Sequence, residues 1–333
     1  MKTSLRKDAT LLAAALLAGI AAGPAASQES TGNYPSKPVT LIFNSTGTTS
    51  TDTEMRLYQN ALKGISDATL VFDYKGGAGG AIGAAYVARQ RPDGYTYLAT
   101  ASTIVSVPLV NKDVGYDVFR DFEPVTQMSK KNFMLLVHPS APYRTLKEYV
   151  DYARANPGKL NWGTSGEGSS THIPGLLLHS ATGTDVTFVH YKGANDKLLD
   201  VMAGRIEVSI GTVLASMGFV KAGKLRAIAV TDTERSPLLP DLPTFAQSGL
   251  PVLSDYEYAT WFGMFAPAKT PASLVGKFND MLKQASRNPA LMKSLQDSDT
   301  FQVVSSPEQF RQYLVKEHGR LEKALKAAGI TPK

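Results

Sequence analysis

The sequence predicts an α/β protein of two domains, in which the chain leaves the first domain, builds the second and returns. Three observations carry that reading. From residue 145 to 231, short apolar runs alternate with helical patterns of about ten residues, as crossover connections in a parallel sheet require. Two apolar stretches, 123–137 and 256–265, are placed to cross between domains. A strand-like run, a loop of hydroxyls and glycines, and a helix start occur together twice, around 44–52 and 161–172.

The chain has 333 residues. Lys2, Arg6 and Lys7 precede an apolar core over 9–22, and Ala25-Ala26-Ser27 offers the small residues a signal peptidase needs. This reads as a secretory leader cut after Ser27, which places the mature protein in the periplasm. The apolar core is too short to span a membrane stably, and no later segment reaches the length required. What remains is ample for two domains. There are no cysteines, which excludes a disulfide, a thiolate nucleophile and a Cys-based zinc site. An exported chain of that kind draws its stability from its core alone. The net charge is +6, part of it in the leader. No dense Lys/Arg stripe interleaved with aromatics appears, so nucleic acid is not an expected partner. The mild basic excess supports a weak pull on small anions.

Taken in order, 39–43 (Val-Thr-Leu-Ile-Phe) reads as a buried strand. The loop 44–52 follows, then helical periodicity through Met55, Leu57, Tyr58 and Leu62, with a cap expected at Ser50, Thr51 or Asp52. A strand over 69–74 leads into the glycine-rich run 75–83 and a small-residue helix to 91. A turn at Pro92-Asp93-Gly94 precedes a strand over 95–101 that ends in Ser102-Thr103; 114–122 is a loop carrying aromatics. The stretch 123–137 is apolar in two pieces around Ser129-Lys130-Lys131-Asn132. Helices are then expected over 145–155, 173–182, 195–203 and 214–222, and strands over 160–163, 186–191, 206–210 and 225–231. Pro237, Pro240, Pro243 and Pro251 mark an irregular stretch. The tail carries helices near 272–287, 289–295 and 307–328. The domains are therefore expected at 28–130 with 256–333, and at 131–255.

The segment from Asn161 to His172 holds three glycines and five hydroxyl residues and opens a helical pattern. Glycines let backbone N–H groups turn outward together, and a helix N-terminus adds partial positive charge. Such a loop suits a carboxylate or a phosphate. Asn44–Asp52 has the same chemistry. Parallel strands place ligands at their carboxyl ends, where the second domain offers Thr164-Ser165, Tyr191-Lys192-Gly193 and Gly211-Thr212.

Other chemistries fit less well. Gly77, Gly79 and Gly83 miss the G-x-G-x-x-G spacing because Ile82 intervenes, and no acidic residue stands where ribose recognition needs one; a packing role is favoured. His138, His172, His179, His190 and His318 show no paired ligand spacing, so no metal and no cofactor is expected; His172 alone sits at the mouth of a loop. Gly163-Thr164-Ser165-Gly166-Glu167 lacks the last glycine of a nucleophile elbow. A hydrolase using Ser165 or Ser169 with His172 is the alternative, and an enzyme is not expected.

Several stretches, in order and spacing, resemble the periplasmic solute receptors of tripartite tricarboxylate transporters, the TctC or Bug-type binding proteins. They are Tyr34-Pro35-Ser36-Lys37-Pro38, Gly76-Gly77-Ala78-Gly79-Gly80-Ala81-Ile82-Gly83, Pro92-Asp93-Gly94-Tyr95-Thr96, Tyr191-Lys192-Gly193, Ala222-Gly223-Lys224-Leu225-Arg226-Ala227, Leu239-Pro240-Asp241-Leu242-Pro243-Thr244 and Trp261-Phe262-Gly263-Met264-Phe265-Ala266-Pro267. The resemblance implies an α/β, two-domain periplasmic-binding-protein fold (type II, Venus flytrap) with two crossing strands. It also implies a monomeric receptor that captures a small organic acid in the cleft and delivers it to the membrane subunits of a tripartite carrier. Hinge closure on the ligand would be the mechanism. The ligand-binding residues it implies, together with the loop chemistry, are Asn44, Ser45, Thr46, Gly47, Thr48, Thr49 and Asp52, then Ser102, then Thr164, Ser165, Gly168, Ser169, Ser170, Thr171 and His172, and Gly211. Two departures bear on the ligand. The family's first loop is usually rich in Pro and Gly, whereas here it is rich in Ser and Thr, with Thr51-Asp52 kept. Many members carry Asp-Asn where Gly211-Thr212 stands, and loss of that acid disfavours an amino-acid ligand and is expected to leave room. A dicarboxylate follows as the expected ligand, with aromatic acids such as terephthalate among the candidates.

Overall fold

The computed structural model describes residues 34–45, 47, 49–63, 65–191, 196–231, 235–327 and 329–332. The expected leader, Thr46, Thr48 and Lys192–Asn195 lie outside them. Strand β1 (Val39–Phe43) leads to helix α1 (Ser50–Leu62), and β2 (Leu70–Tyr74) to α2 (Ala81–Ala88). Then come β3 (Thr96–Ala101), the single turn α3 (Thr103–Ser106) and the long β4 (Phe122–Lys131). After one residue, Asn132, the chain continues as β5 (Phe133–Val137). The alternating region follows: α4 (Leu146–Ala155), β6 (Asn161–Thr164), α5 (Ile173–Thr182), β7 (Thr187–His190), α6 (Asp196–Met202), β8 (Val208–Thr212), α7 (Val213–Lys221) and β9 (Arg226–Val230). The return is β10 (Thr260–Pro267), α8 (Ala272–Ala285), α9 (Pro289–Gln296), β11 (Thr300–Gln302) and α10 (Pro307–Ala327).

The strands form two sheets, ordered β11-β4-β10-β3-β1-β2 and β7-β6-β8-β5-β9. The outgoing run is thus shared between them, β4 in the first sheet and β5 in the second. Asn132 is where it changes sheet. Both sheets are mixed, although the alternating pattern predicts a parallel second sheet. β6 is parallel to β7 and β8, but β5 is antiparallel to β8 and β9. The reason is directional. A strand leaving one sheet toward the cleft must enter the other moving away from it, opposite to the crossover strands that run back up.

Local chemistry sets the element ends. The cap of α1 is Thr49, one residue earlier than expected: it is extended, and its hydroxyl accepts from Asp52 N–H at 3.3 Å. Thr145 caps α4 in a reciprocal box with Glu148. β8 runs to Thr212 rather than stopping at Ile210, because Gly211 and Thr212 still pair with Met134 and Phe133. Ile206 precedes the strand and packs over Gly163. The three-residue β11 was too short to show any periodicity.

β5 has a continuous apolar run because both of its faces are covered. Phe133, Leu135 and Val137 join the large core with Trp162, Ile210 and Ile228. Met134 and Leu136 face the other way, with Leu198, Val201 and Val213 of α6 and α7. At the crossing, Thr231 ties the outgoing and returning chains. Its N–H donates to Phe133 O at 3.0 Å, and its hydroxyl donates to Tyr258 O at 2.6 Å. Phe133 N–H donates to the same hydroxyl at 3.2 Å, and Tyr258 N–H to Thr231 O at 2.9 Å.

Candidate functional site

The first loop leaves the carboxyl end of β1. Its first residue, Asn44, is braced by the glycine-rich run: Asn44 Nδ2 donates to Gly80 O at 3.3 Å. A Cβ at Gly83 would lie 2.8 Å from Asn44 Cα and 2.7 Å from Lys75 O, and one at Gly80 would lie 2.3 Å from Asn44 Nδ2. These glycines therefore serve close packing of α2 against the loop, as the spacing argument favoured. Among the described residues, the N–H groups of Ser45, Gly47, Ser50 and Thr51 take no acceptor. Those of Ser50 and Thr51 form the unpaired end of α1, with its partial positive charge, and those of Ser45 and Gly47 lie in the loop before it. Asp52 sits behind them, nearly fully buried, and its carboxylate is engaged by Arg56 Nε at 3.1 Å and by the Tyr74 hydroxyl. It holds the loop from inside lobe one.

The second loop is built differently: it spends three of its amides on its own side chains. Thr164 Oγ1 accepts from Gly166 N–H at 3.2 Å and meets His190 Nδ1 at 2.5 Å. Thr171 Oγ1 accepts from Ser165 N–H at 2.8 Å, lies 3.1 Å from Ser169 Oγ and donates to Ser165 Oγ at 3.3 Å. Gly168 N–H donates to His172 Nδ1 at 3.0 Å, which puts the neutral ring's proton on Nε2. The N–H groups of Glu167, Ser170 and Thr171 are left without an acceptor among the described residues. Glu167 itself is exposed, so its charge is directed to solvent.

The two loops meet the same short turn, Ala78–Gly80. A Cβ on Gly79 would lie 3.3 Å from Glu167 O, and one on the next residue, Gly80, would lie 3.3 Å from Asn44 O. Adjacent residues thus touch both loops, which approach the same turn. A direct bond joins the lobes there: Ser106 Oγ donates to Gly168 O at 2.7 Å, in the interior.

Ser102, at the end of β3, is buried with its hydroxyl 3.1 Å from Thr260 Oγ1 on the returning strand. Gly211 faces inward. A Cβ there would meet Ser216 Oγ at 2.2 Å, with Leu136 and Leu198 close by. The room expected at that position is filled by the lobe's own core, because β8 continues through it.

Two charged groups at the site escape the loop-and-motif reading. Lys131 Nζ pairs with Glu54 Oε2 at 2.6 Å, both side chains at most 5 % exposed. Ser129 Oγ donates to the same carboxylate oxygen at 2.9 Å, and Lys131 also reaches Ser50 O in the first turn of α1 at 3.3 Å. The polar interruption at 129–132 in an otherwise apolar run was the available signal. The second is Lys197, in the first turn of α6, whose buried ammonium donates to Ile210 O at 2.9 Å. Burial lowers its pKa to about 7. Nothing in the pattern Asp196-Lys197-Leu198-Leu199 distinguishes it from a surface lysine.

Two α/β lobes joined by crossing segments, with carboxyl-end loops converging on one turn, define the periplasmic binding protein class. Comparison gives the family. The model of the tripartite tricarboxylate transporter family receptor (TctC) matches residues 55–330. An R. palustris protein determined with adipate superposes with a TM-score of 0.84 at 33 % identity, over 90 % of this chain and 100 % of that one. MatC from Rhodopseudomonas palustris, with bound malate, gives 0.80 at 26 % identity, over 88 % and 100 %. BugT of Bordetella pertussis is 26 % identical over 315 residues, 93 % of this chain and 95 % of that protein. The chain belongs to the TctC family of solute receptors.

Proposed function

We propose that this receptor captures a small dicarboxylate between its lobes in the periplasm and delivers it to the membrane subunits of a tripartite carrier. The observation that carries the reading is the pairing of loops across Ala78–Gly80, with the amides of Ser45, Gly47, Ser50 and Thr51, which take no acceptor among the described residues, on one side. A carboxylate is the ligand group such amides complement. The adipate and malate bound by the two relatives point to the same class.

In this reading loop 44–52, Ser102 and loop 164–172 line the ligand site, with Thr46 and Thr48 completing the first loop. Lobe one is 28–130 with 256–333, lobe two is 131–255, and closure occurs about the crossings between them. Contacts to both lobes favour the closed state, which is what a transporter would read. The receptor acts as a monomer, exported by a leader cut after Ser27.

Calorimetric titration with adipate, malate, terephthalate and a set of amino acids tests the reading. Dicarboxylate binding with a raised melting temperature is the expected result. Tight binding of an amino acid with no response to any dicarboxylate overturns it.

A further inference from the structure

The second lobe holds a buried cation that the loop chemistry does not account for. Lys197 is 2 % exposed, and its one acceptor among the described residues is the carbonyl of Ile210. An ammonium has three donors, and a buried one is ordinarily paired with a carboxylate. None is in place. In its own helix, Asp196 is exposed, and Asp200 is taken by the Tyr191 hydroxyl at 2.8 Å and by Arg205. On the strands packed against it, Glu207 accepts from Asn161, and His190 is held by Thr164. Burial lowers its pKa, and no anion among the described residues offsets it.

Its position is at the ligand end of the lobe. The Lys197 stem lies over Gly163, the residue before the second loop's first hydroxyl: a Cβ on Gly163 would lie 2.9 Å from Lys197 Cβ. Its ammonium reaches β8 directly before Gly211-Thr212, where that strand ends. The loop above has spent the amides of Ser165, Gly166 and Gly168 internally, keeps those of Glu167, Ser170 and Thr171 and carries the Glu167 carboxylate, so its backbone alone is a weak holder of an anion.

We propose that Lys197 is the counter-charge of the second lobe and sets the preference for a ligand with a second carboxylate. This rests on the carboxylate reading above. The first carboxylate takes the α1 amides; the second brings to lobe two the negative charge that Lys197 lacks. An incoming carboxylate stabilises the charged ammonium, so binding a diacid draws a proton onto Lys197 above neutral pH.

The test compares acids of equal skeleton: adipate against hexanoate, and terephthalate against benzoate. Wild type and Lys197→Met are titrated calorimetrically at pH 8 in buffers of different ionisation enthalpy. The expected result is proton uptake on binding the diacid and none on binding the monoacid. Lys197→Met is expected to bind the diacid about tenfold or more weaker, with monoacid binding unchanged. Equal diacid affinity in wild type and variant, or uptake that is the same for diacid and monoacid, overturns the proposal. The proton measurement on wild type decides if the variant does not fold. A wild type that binds none of the four acids defeats the carboxylate reading itself, which is a different outcome from a bound diacid indifferent to Lys197.

Discussion

Replacing Lys131 by Met separates a buried charge from its partner. Glu54 is 2 % exposed and Lys131 5 %, with Nζ and Oε2 at 2.6 Å. The second carboxylate oxygen, Oε1, has no partner among the described residues, so Ser129 Oγ would be the only donor left to the anion among them. Removing one member of such a pair costs about 3–5 kcal/mol, most of it the uncompensated charge that stays behind. Replacing both, as in Glu54→Gln/Lys131→Met, removes the charge with its partner and costs less than the single change. Equilibrium urea unfolding of the four proteins in the cycle gives the coupling directly. The single variant should therefore be less stable than the double one. A Lys131→Met protein as stable as the double variant, or within about 1 kcal/mol of wild type, refutes the argument that this pair is buried and interdependent. Because Lys131 also holds Ser50 O at the start of α1, both variants should weaken carboxylate binding.

Three further outcomes follow from the same geometry. Gly83→Ala forces a Cβ to within 2.8 Å of backbone on both sides, at Lys75 O and Asn44 Cα, and should cost about 1–3 kcal/mol in denaturant unfolding while displacing the first loop. Ser106→Ala removes the interlobe bond to Gly168 O, and ligand affinity by calorimetry should fall by a few-fold, as expected for about 1 kcal/mol. His179 is buried between the Tyr149 hydroxyl and Thr184 Oγ1, and burial lowers its pKa to about 3. The unfolded chain therefore binds a proton below its ordinary value near 6.5 while the folded one does not. Stability contributed by the neutral ring is complete above that value and falls by up to about 1.4 kcal/mol per pH unit toward pH 3. His179→Gln should flatten that part of the pH–stability curve measured by denaturant unfolding.

Much of the architecture was legible because periodicity and burial agree. The apolar stretch 123–137 announces a crossing segment, the alternation after it announces strands between helices, and the expected helix 173–182 is α5 to the residue. The mixed sheet was not legible, since a run such as Phe-Met-Leu-Leu-Val carries no sign of its direction. Both loops of hydroxyls and glycines were legible as composition. Their internal wiring was not, because hydroxyls suited to greet a ligand are equally suited to cap their neighbours, as Thr171 and Thr164 do. Gly211 illustrates the opposite failure: a missing side chain suggests space, yet only packing tells whether Ser216 already fills it. Lys197 and the Glu54–Lys131 pair depend on contacts between segments distant in sequence, or on a carbonyl no pattern can identify.

The clasp at Thr231 binds departing and arriving chain through one side chain and its own backbone. In the closure proposed above, the outgoing and returning segments are tied together at this one residue, so loss of its hydroxyl alone would loosen both at once.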